Sequence, residues 1–213
     1  MSEHICVRFP TPNFDRLLET LPLKGAKVFK TGSSSTIFEK GDSLLRLTLQ
    51  GSGHNFLAQQ SAAGNPNVVR VLHNYGAVAL SDTYESGPEV EFYWLAQVEH
   101  LVDIEVGREP VLEAWLARFD EEGQPVSRDL PVVAQQCREL ARAHRQYAGL
   151  METLALAAEF PGIESMDLRL SNCMRRPLTG ELVWTDPLDD CFYEPDTMWK
   201  FHWMYSSRFS NDG

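Results

Sequence analysis

The strand-like runs of this sequence come first and its helix-patterned stretches second, and no other feature limits the fold as tightly. Strands that alternate with helices build parallel sheets, whereas strands followed by helices build an α+β protein around an antiparallel sheet. Short apolar runs fill residues 26–31, 36–40 and 43–49, with Gly32-Ser33-Ser34-Ser35 and Gly41-Asp42 between them as hairpin turns. A short helix is expected over His54–Ala63, ended by Gly64, and further strands over residues 68–72, 76–80 and 90–98. Ahead of them, Thr11 as N-cap and Pro12 in the first turn open a helix through Phe14, Leu17, Leu18 and Leu21.

After Leu101 the period changes. Residues 109–119 suit a helix, and Asp129 with Pro131 behind it caps the longest one. Val133, Cys137, Leu140, Ala141 and His144 recur there at helical spacing as one buried stripe, on which His144 reads as a core histidine. A further helix is expected over residues 149–159, stopped by Phe160-Pro161-Gly162.

Composition excludes several classes. At 43% hydrophobic and 23% charged residues the chain is not disordered, and no stretch approaches the 18 or so apolar residues of a membrane span. A net charge of -11 argues against nucleic acid as a partner. The charge is concentrated: residues 82–129 hold 13 acidic and three basic side chains, while the remainder is nearly neutral. That stretch reads as a solvated face or as a docking surface for a basic partner. The segment MSEHICVRFP has no basic cluster ahead of an apolar run, so no secretory leader is expected. Cys6, Cys137, Cys173 and Cys191 lie far apart with no C-x-x-C, which suits a reducing cytoplasm better than zinc or disulfides.

The chemistry is concentrated in residues 163–190, IESMDLRLSNCMRRPLTGELVWTDPLDD, read as loop, strand, turn, strand. Asp167, Asn172 and Asp186 stand at the edges of this hairpin, where two carboxylates and a carboxamide can converge. Such oxygen donors suit a hard cation, since Mg²⁺ usually takes one or two carboxylates plus substrate phosphates. A carboxylate left off the metal can orient or deprotonate a hydroxyl. Arg169, Arg175 and Arg176 flank the segment and offer phosphate contacts, although a solvated loop suits the last two.

D-x-x-x-x-N, followed 19 residues from its Asp by a second Asp at a strand end, resembles the catalytic loop and metal-binding motif of protein kinases. Asn65-Pro66-Asn67-Val68-Val69 is similar to the H-P-N-I-V motif ahead of their fourth strand. The chain is most similar to the early host-takeover serine/threonine kinases of short-tailed, autographivirus-type bacteriophages, in which Thr-Asp-Pro replaces Asp-Phe-Gly, as Thr185-Asp186-Pro187 does here. The resemblance spans about residues 26–190 and implies an α+β, kinase-like two-lobed fold. Residues 1–100 would be a strand-rich N-lobe, and residues 101–213 a reduced helical C-lobe with an aromatic tail.

The resemblance also implies ATP and Mg²⁺ as cofactors. Asp167 would accept or orient the substrate hydroxyl proton, and Asn172 and Asp186 would hold Mg²⁺. Gly32, Ser33 and Ser34 would cover the phosphates, and Val98 would lie at a hinge beside adenine. Three departures stand out. The glycine loop has one glycine, Arg46 stands at the third-strand lysine, and no Asp or Glu occurs between Asp42 and Asp82 to pair with it. Lys27, Lys30 or Lys40 are alternative cations, and Gln59 or Gln60 alternative partners for Arg46.

The expected function is therefore transfer of the ATP γ-phosphoryl group to a host protein in the host cytoplasm. The alternatives are a pseudokinase that binds and inhibits a host protein, and a minimal kinase-like ATPase. Docking would use the acidic face or the aromatic tail (Phe192, Tyr193, Trp199, Phe201, Trp203, Tyr205, Phe209), with neither membrane nor nucleic acid as partner.

Overall fold

A computed structural model describes residues 12–32, 35–81, 92–119, 126–127 and 129–189. Thr11, Ser33, Ser34, residues 82–91, 120–125 and 128 of the acidic stretch, and the aromatic tail lie outside the described residues.

The protein is α+β, built on a five-stranded antiparallel sheet. Helix α1 (Pro12–Leu18) precedes β1 (Lys27–Thr31), β2 (Ser35–Lys40) and β3 (Ser43–Thr48). Helix α2 (Gly51–Ala62), β4 (Val71–Leu80) and β5 (Phe92–Val98) follow, and the strand order is β1-β2-β3-β5-β4. Alternation divides the strands cleanly. Leu45 and Leu47 of β3, Phe38 of β2, and Tyr93 and Leu95 of β5 form one small core with Leu17 of α1 and Leu23. On the opposite face, Leu44, Ala96 and Val98 join Phe56 and Leu57 of α2 in a larger core.

That larger core continues without a break into the helical half. Beyond β6 (Val102–Asp103), helix α3 (Pro110–Leu116) and β7 (Val126–Ser127) lead to α4 (Leu130–Ala143) and α5 (Ala148–Ala158). Asp129 caps α4, its carboxylate accepting from the Val132 N–H, as the sequence predicts. Helix α5 is buried on nearly every side through Leu150, Met151, Thr153, Leu154, Ala155, Ala157 and Ala158. The chain then forms β8 (Ser165–Asp167), β9 (Cys173–Arg175), β10 (Leu182–Trp184) and β11 (Leu188–Asp189). Strands β10, β9 and β6 make one small sheet, and β11, β8 and β7 another.

Several expectations are corrected. Residues 68–72 and 76–80 are not two strands: β4 runs from Val71 and continues through three register shifts. Val68 instead bridges Trp184 in parallel, with the Trp184 N–H donating to Asn67 O at 2.9 Å and the Val69 N–H to Trp184 O at 3.0 Å. The region before β4 is thus claimed by β10. Helix α2 begins three residues before His54, because its poor formers Gly51 and Gly53 lie in a buried first turn where packing overrides propensity. The 109–119 helix is shorter, Pro110–Leu116, ending in a 3-10 turn over Ala117–Phe119. His144 is the half-buried, extended C-cap of α4 and not part of its buried stripe.

The Asn65–Val69 loop is anchored by contacts from distant segments. Asn65 Nδ2 donates to Thr153 Oγ1 of α5 at 3.0 Å, and Asn67 Nδ2 donates to Leu182 O at 3.0 Å. Gly149 is required by this approach, since a Cβ there would stand 2.3 Å from Asn67 Oδ1. Arg176 binds the assembly: its guanidinium donates to Pro66 O, Val68 O, Glu99 and Glu181. Its side chain is 4% exposed, so the solvated-loop reading is corrected. Arg175 is likewise engaged, by Glu109 and Gly180 O.

Removing Arg176 leaves Glu99 with its charge largely desolvated, so Arg176→Ala should lower the free energy of unfolding by about 3–5 kcal/mol. Glu181→Ala, at the half-exposed end of the same network, should cost only about 0–1 kcal/mol. Urea titration of both variants checks the contrast.

Candidate functional site

Backbone hydrogen bonds bring residues 167, 172 and 186 together. The Asp167 N–H donates to Pro187 O at 3.1 Å. Thr185 donates both its N–H (2.8 Å) and its Oγ1 hydroxyl (3.1 Å) to Asn172 O. Asn172 Nδ2 in turn donates to Asp167 O at 3.1 Å, which closes the two ends of the Asp167–Asn172 loop, and the last residues of that loop form the 3-10 turn Leu170–Asn172. The residues before and after Asp186 are therefore both held to the loop that carries the other two.

Arg46 reaches this cluster from the sheet. Strand alternation places it on the same face as Leu44 and Thr48, toward α2, and its register neighbours are Ile37 and the small Ala96. Its side chain is only 6% exposed, and Nη2 stands 2.8 Å from Asp186 Oδ1. It is neither a surface cation nor a partner of Gln59 or Gln60. Two of the three expected alternative lysines are also occupied: Lys30 Nζ pairs with Asp103 at 2.9 Å and Lys40 Nζ donates to Pro22 O at 2.8 Å.

The first turn of α2 closes the cluster from a third side. Gly53 lies against Asp186, where a Cβ would stand 3.1 Å from Oδ1, a separation few real Cβ atoms tolerate. His54, the next residue, is 2% exposed and packs on Trp94 with ring centroids 5.3 Å apart. Its Nε2 lies 2.8 Å from Asn74 Oδ1, which also accepts from the Gly76 N–H at 2.8 Å. An atom that accepts from Gly76 is the amide oxygen, so Nε2 carries the histidine proton.

The charges follow from this packing. Burial raises the Asp186 carboxyl above its ordinary range, against the attraction of Arg46, and nearby Asp189 adds to the rise. Burial also raises Asp167, opposed by Arg169, whose Nε lies 2.8 Å from Oδ1, and by the Asn172 hydrogen bond. Asp186 and Asp189 raise Asp167 further, which ties the carboxylates into one electrostatic unit. His54 is pushed down to about 4 by burial and then by Arg46, against its bond to Asn74. Burial raises the thiols of Cys137 and Cys173, both free, and keeps them protonated and inert.

Of the other expected site residues, Gly32 is exposed and its N–H donates to Ser35 O at 2.8 Å to close the turn after β1. Val98 ends β5 between Leu44 and Val71 and is buried in the larger core. Sequence reasoning missed Gly53, His54 and Asn74. A Gly-x-Gly immediately after a strand was the available signal for the first of these. Among the described residues, no three His, Cys, Asp or Glu side chains are grouped to hold a metal, and no helix is long and apolar enough to cross a membrane. No protein-family model matches the chain, and no curated protein matches it.

The histidine yields a test. Between pH 6.5 and 4 the unfolded chain binds a proton at this site that the folded protein excludes, so stability falls as pH drops through that window. The full contribution is about 3 kcal/mol at 1.36 kcal/mol per unit. In His54→Gln the loss of stability between pH 6.5 and 4 should shrink by that order, read by urea unfolding at several pH values.

Proposed function

We propose that the protein is a kinase-like phosphotransferase that moves the γ-phosphoryl group of ATP to a serine or threonine hydroxyl of a host protein. The observation that carries this reading is the backbone lacing of Asp167, Asn172 and the Thr185-Asp186-Pro187 segment, with Arg46 against Asp186. On this reading the sheet with α2 is an N-lobe, the helices beyond β5 are a reduced C-lobe, and Val98–His100 is the hinge. The hinge is braced by the Glu99 N–H donating to Arg70 O at 3.1 Å and by His100 Nε2 lying 3.1 Å from Asp42 O.

The residues fit Mg²⁺ as a metal that arrives with its phosphate. Asn172 donates through Nδ2, which leaves its amide oxygen to join the Asp186 carboxylate as the two protein donors Mg²⁺ usually takes. Bound there, Mg²⁺ would neutralise charge on the phosphate oxygens. Asp167 orients the acceptor hydroxyl and takes its proton, a task favoured by a carboxyl held above its ordinary range. Arg169 steadies that carboxylate from its solvent side, and Arg46 faces the phosphates from the sheet.

A second reading, a pseudokinase that binds a host protein, draws on two facts. Arg46 and Asp186 satisfy each other, and α2 presents a neutral histidine with no carboxylate in reach of Arg46 from that helix. Such a protein would gain no stability from Mg-ATP, whereas a ligand at 100 times its Kd adds about 2.7 kcal/mol.

Incubation with Mg²⁺ and labelled ATP, alone and with cell lysate, tests the first reading. Wild type should label protein, Asp186→Asn should not, and Asp167→Ala should be slower by about 10²–10⁴-fold. Label transfer undiminished in Asp167→Ala overturns the role given to that residue.

A further inference from the structure

The first residues of α2, Gly51 to Leu57, are buried without exception, whereas a helix on a sheet ordinarily buries one face. Part of this burial has described causes. His54 packs on Trp94 and meets Asn74, Phe56 lies on Phe160 with ring centroids 5.4 Å apart, Gly53 lies against Asp186, and Leu57 joins the larger core. At roughly 100° per residue, Asn55 points about 160° away from Gly53 and about 100° from both His54 and Phe56. Gln59 and Ala62 follow Asn55 at i+4 and i+7 on the same side of the helix, and both are exposed. The side of α2 that is open to solvent at Gln59 and Ala62 is therefore covered one turn earlier, where Asn55 is 7% and Ser52 3% exposed.

Asn55 adds a separate observation. Its Nδ2 is buried and has no hydrogen-bond partner among the described residues. An amide left in that state is costly, so whatever covers it is expected to bring an acceptor. The chain leads to this place from β11, which packs against α2 and ends at Asp189. The next residues are Asp190-Cys191-Phe192-Tyr193, and seven aromatic side chains lie between Phe192 and Phe209. Phe192 is three residues on, about 10 Å of extended chain, and the buried stretch of α2 is itself about 10 Å long. The segment ahead of α1 starts on the wrong side, since α1 packs on the sheet face opposite to α2.

We propose that the aromatic segment after β11 folds back across the Ser52–Asn55 side of α2, with Phe192 and Tyr193 as its anchors. Gly51 and Ser52 offer a shallow surface on which a ring can lie flat, and Asn55 donates to a main-chain carbonyl or a hydroxyl of the segment. The clamp fixes the turn in which Gly53 makes room for the Asp186 carboxylate. It gives the tail an internal partner in place of a host protein. It requires neither nucleotide nor transfer, so a protein without kinase activity can carry it.

The test uses the full chain. Benzoylphenylalanine in place of Phe192, and separately of Tyr193, should cross-link on illumination to residues 51–59 of the same chain, mapped by mass spectrometry. Amide hydrogen exchange gives a second reading. Phe192→Ala combined with Tyr193→Ala should speed exchange across residues 51–58 by at least about tenfold and leave α4 and α5 unchanged. Cross-links confined to other segments, or formed only between two chains, overturn the proposal. So does exchange at residues 51–58 that is unchanged, or that rises equally throughout the protein. Replacing residues 83–90 by a glycine-serine linker should leave the protection of residues 51–58 in place. Its loss in that variant assigns the cover to the β4–β5 connection, and protection that rises with protein concentration assigns it to a second copy; either result overturns the clamp.

Discussion

The buried guanidinium of Arg176 is the contact on which the rest of the structure depends. Desolvating an arginine costs several kcal/mol unless its donors are satisfied, and here they reach two carboxylates and two main-chain carbonyls. Those acceptors come from the end of β5, the loop before β4 and the hairpin of β9 and β10. Held together, these segments set the backbone register between Asn67, Val69 and Trp184. Trp184 is fully buried and donates its indole N–H to Leu150 O at 2.9 Å, which adds α5 to the same knot. Asp186 lies two residues further on, so its place against β3 and α2 is inherited from this junction.

The electrostatics of the site follow from a shortage. With no carboxylate on α2 or on β4, the buried cation on β3 has to be matched by Asp186, from the far end of the chain. A positive charge on His54 beside Arg46 would have no compensation, and the histidine is accordingly held neutral. Asp167 is matched by its neighbour Arg169. Asp167 and Asp186 therefore each have an arginine within contact.

Much of the layout was legible because it is local. Alternation in residues 36–40 and 43–49 specified β2 and β3, and Gly41-Asp42 their turn. Asp129 followed by Pro131 specified the start of α4. The spacing of Asp167, Asn172 and Asp186 marked the segment that gathers them. The misses are non-local. Propensity delayed the start of α2 because nothing in Gly51-Ser52-Gly53 reveals that Asp186 and the sheet pack on that turn. Residues 68–72 look like strand, yet their first residues pair with β10, more than a hundred positions away. Arg175 and Arg176 look like a solvated pair because their partners Glu109 and Glu99 are 66 and 77 residues distant.

Local chemistry in the sequence was enough to determine β1 to β3 and β5, helices α4 and α5, the Asp129 cap and the Gly41-Asp42 turn, and which side chains could carry chemistry. Each of those depends on neighbours within a few residues, where steric preference and hydrophobic period act. The tertiary structure alone decided which charges meet. Arg46 was one cation among several until burial on the α2 face of the sheet left Asp186 as its contact. Asp186 was a strand-ending residue until Gly53 made room for its carboxylate. Ion pairing inside a protein is selected by desolvation, and desolvation is a property of the packed whole.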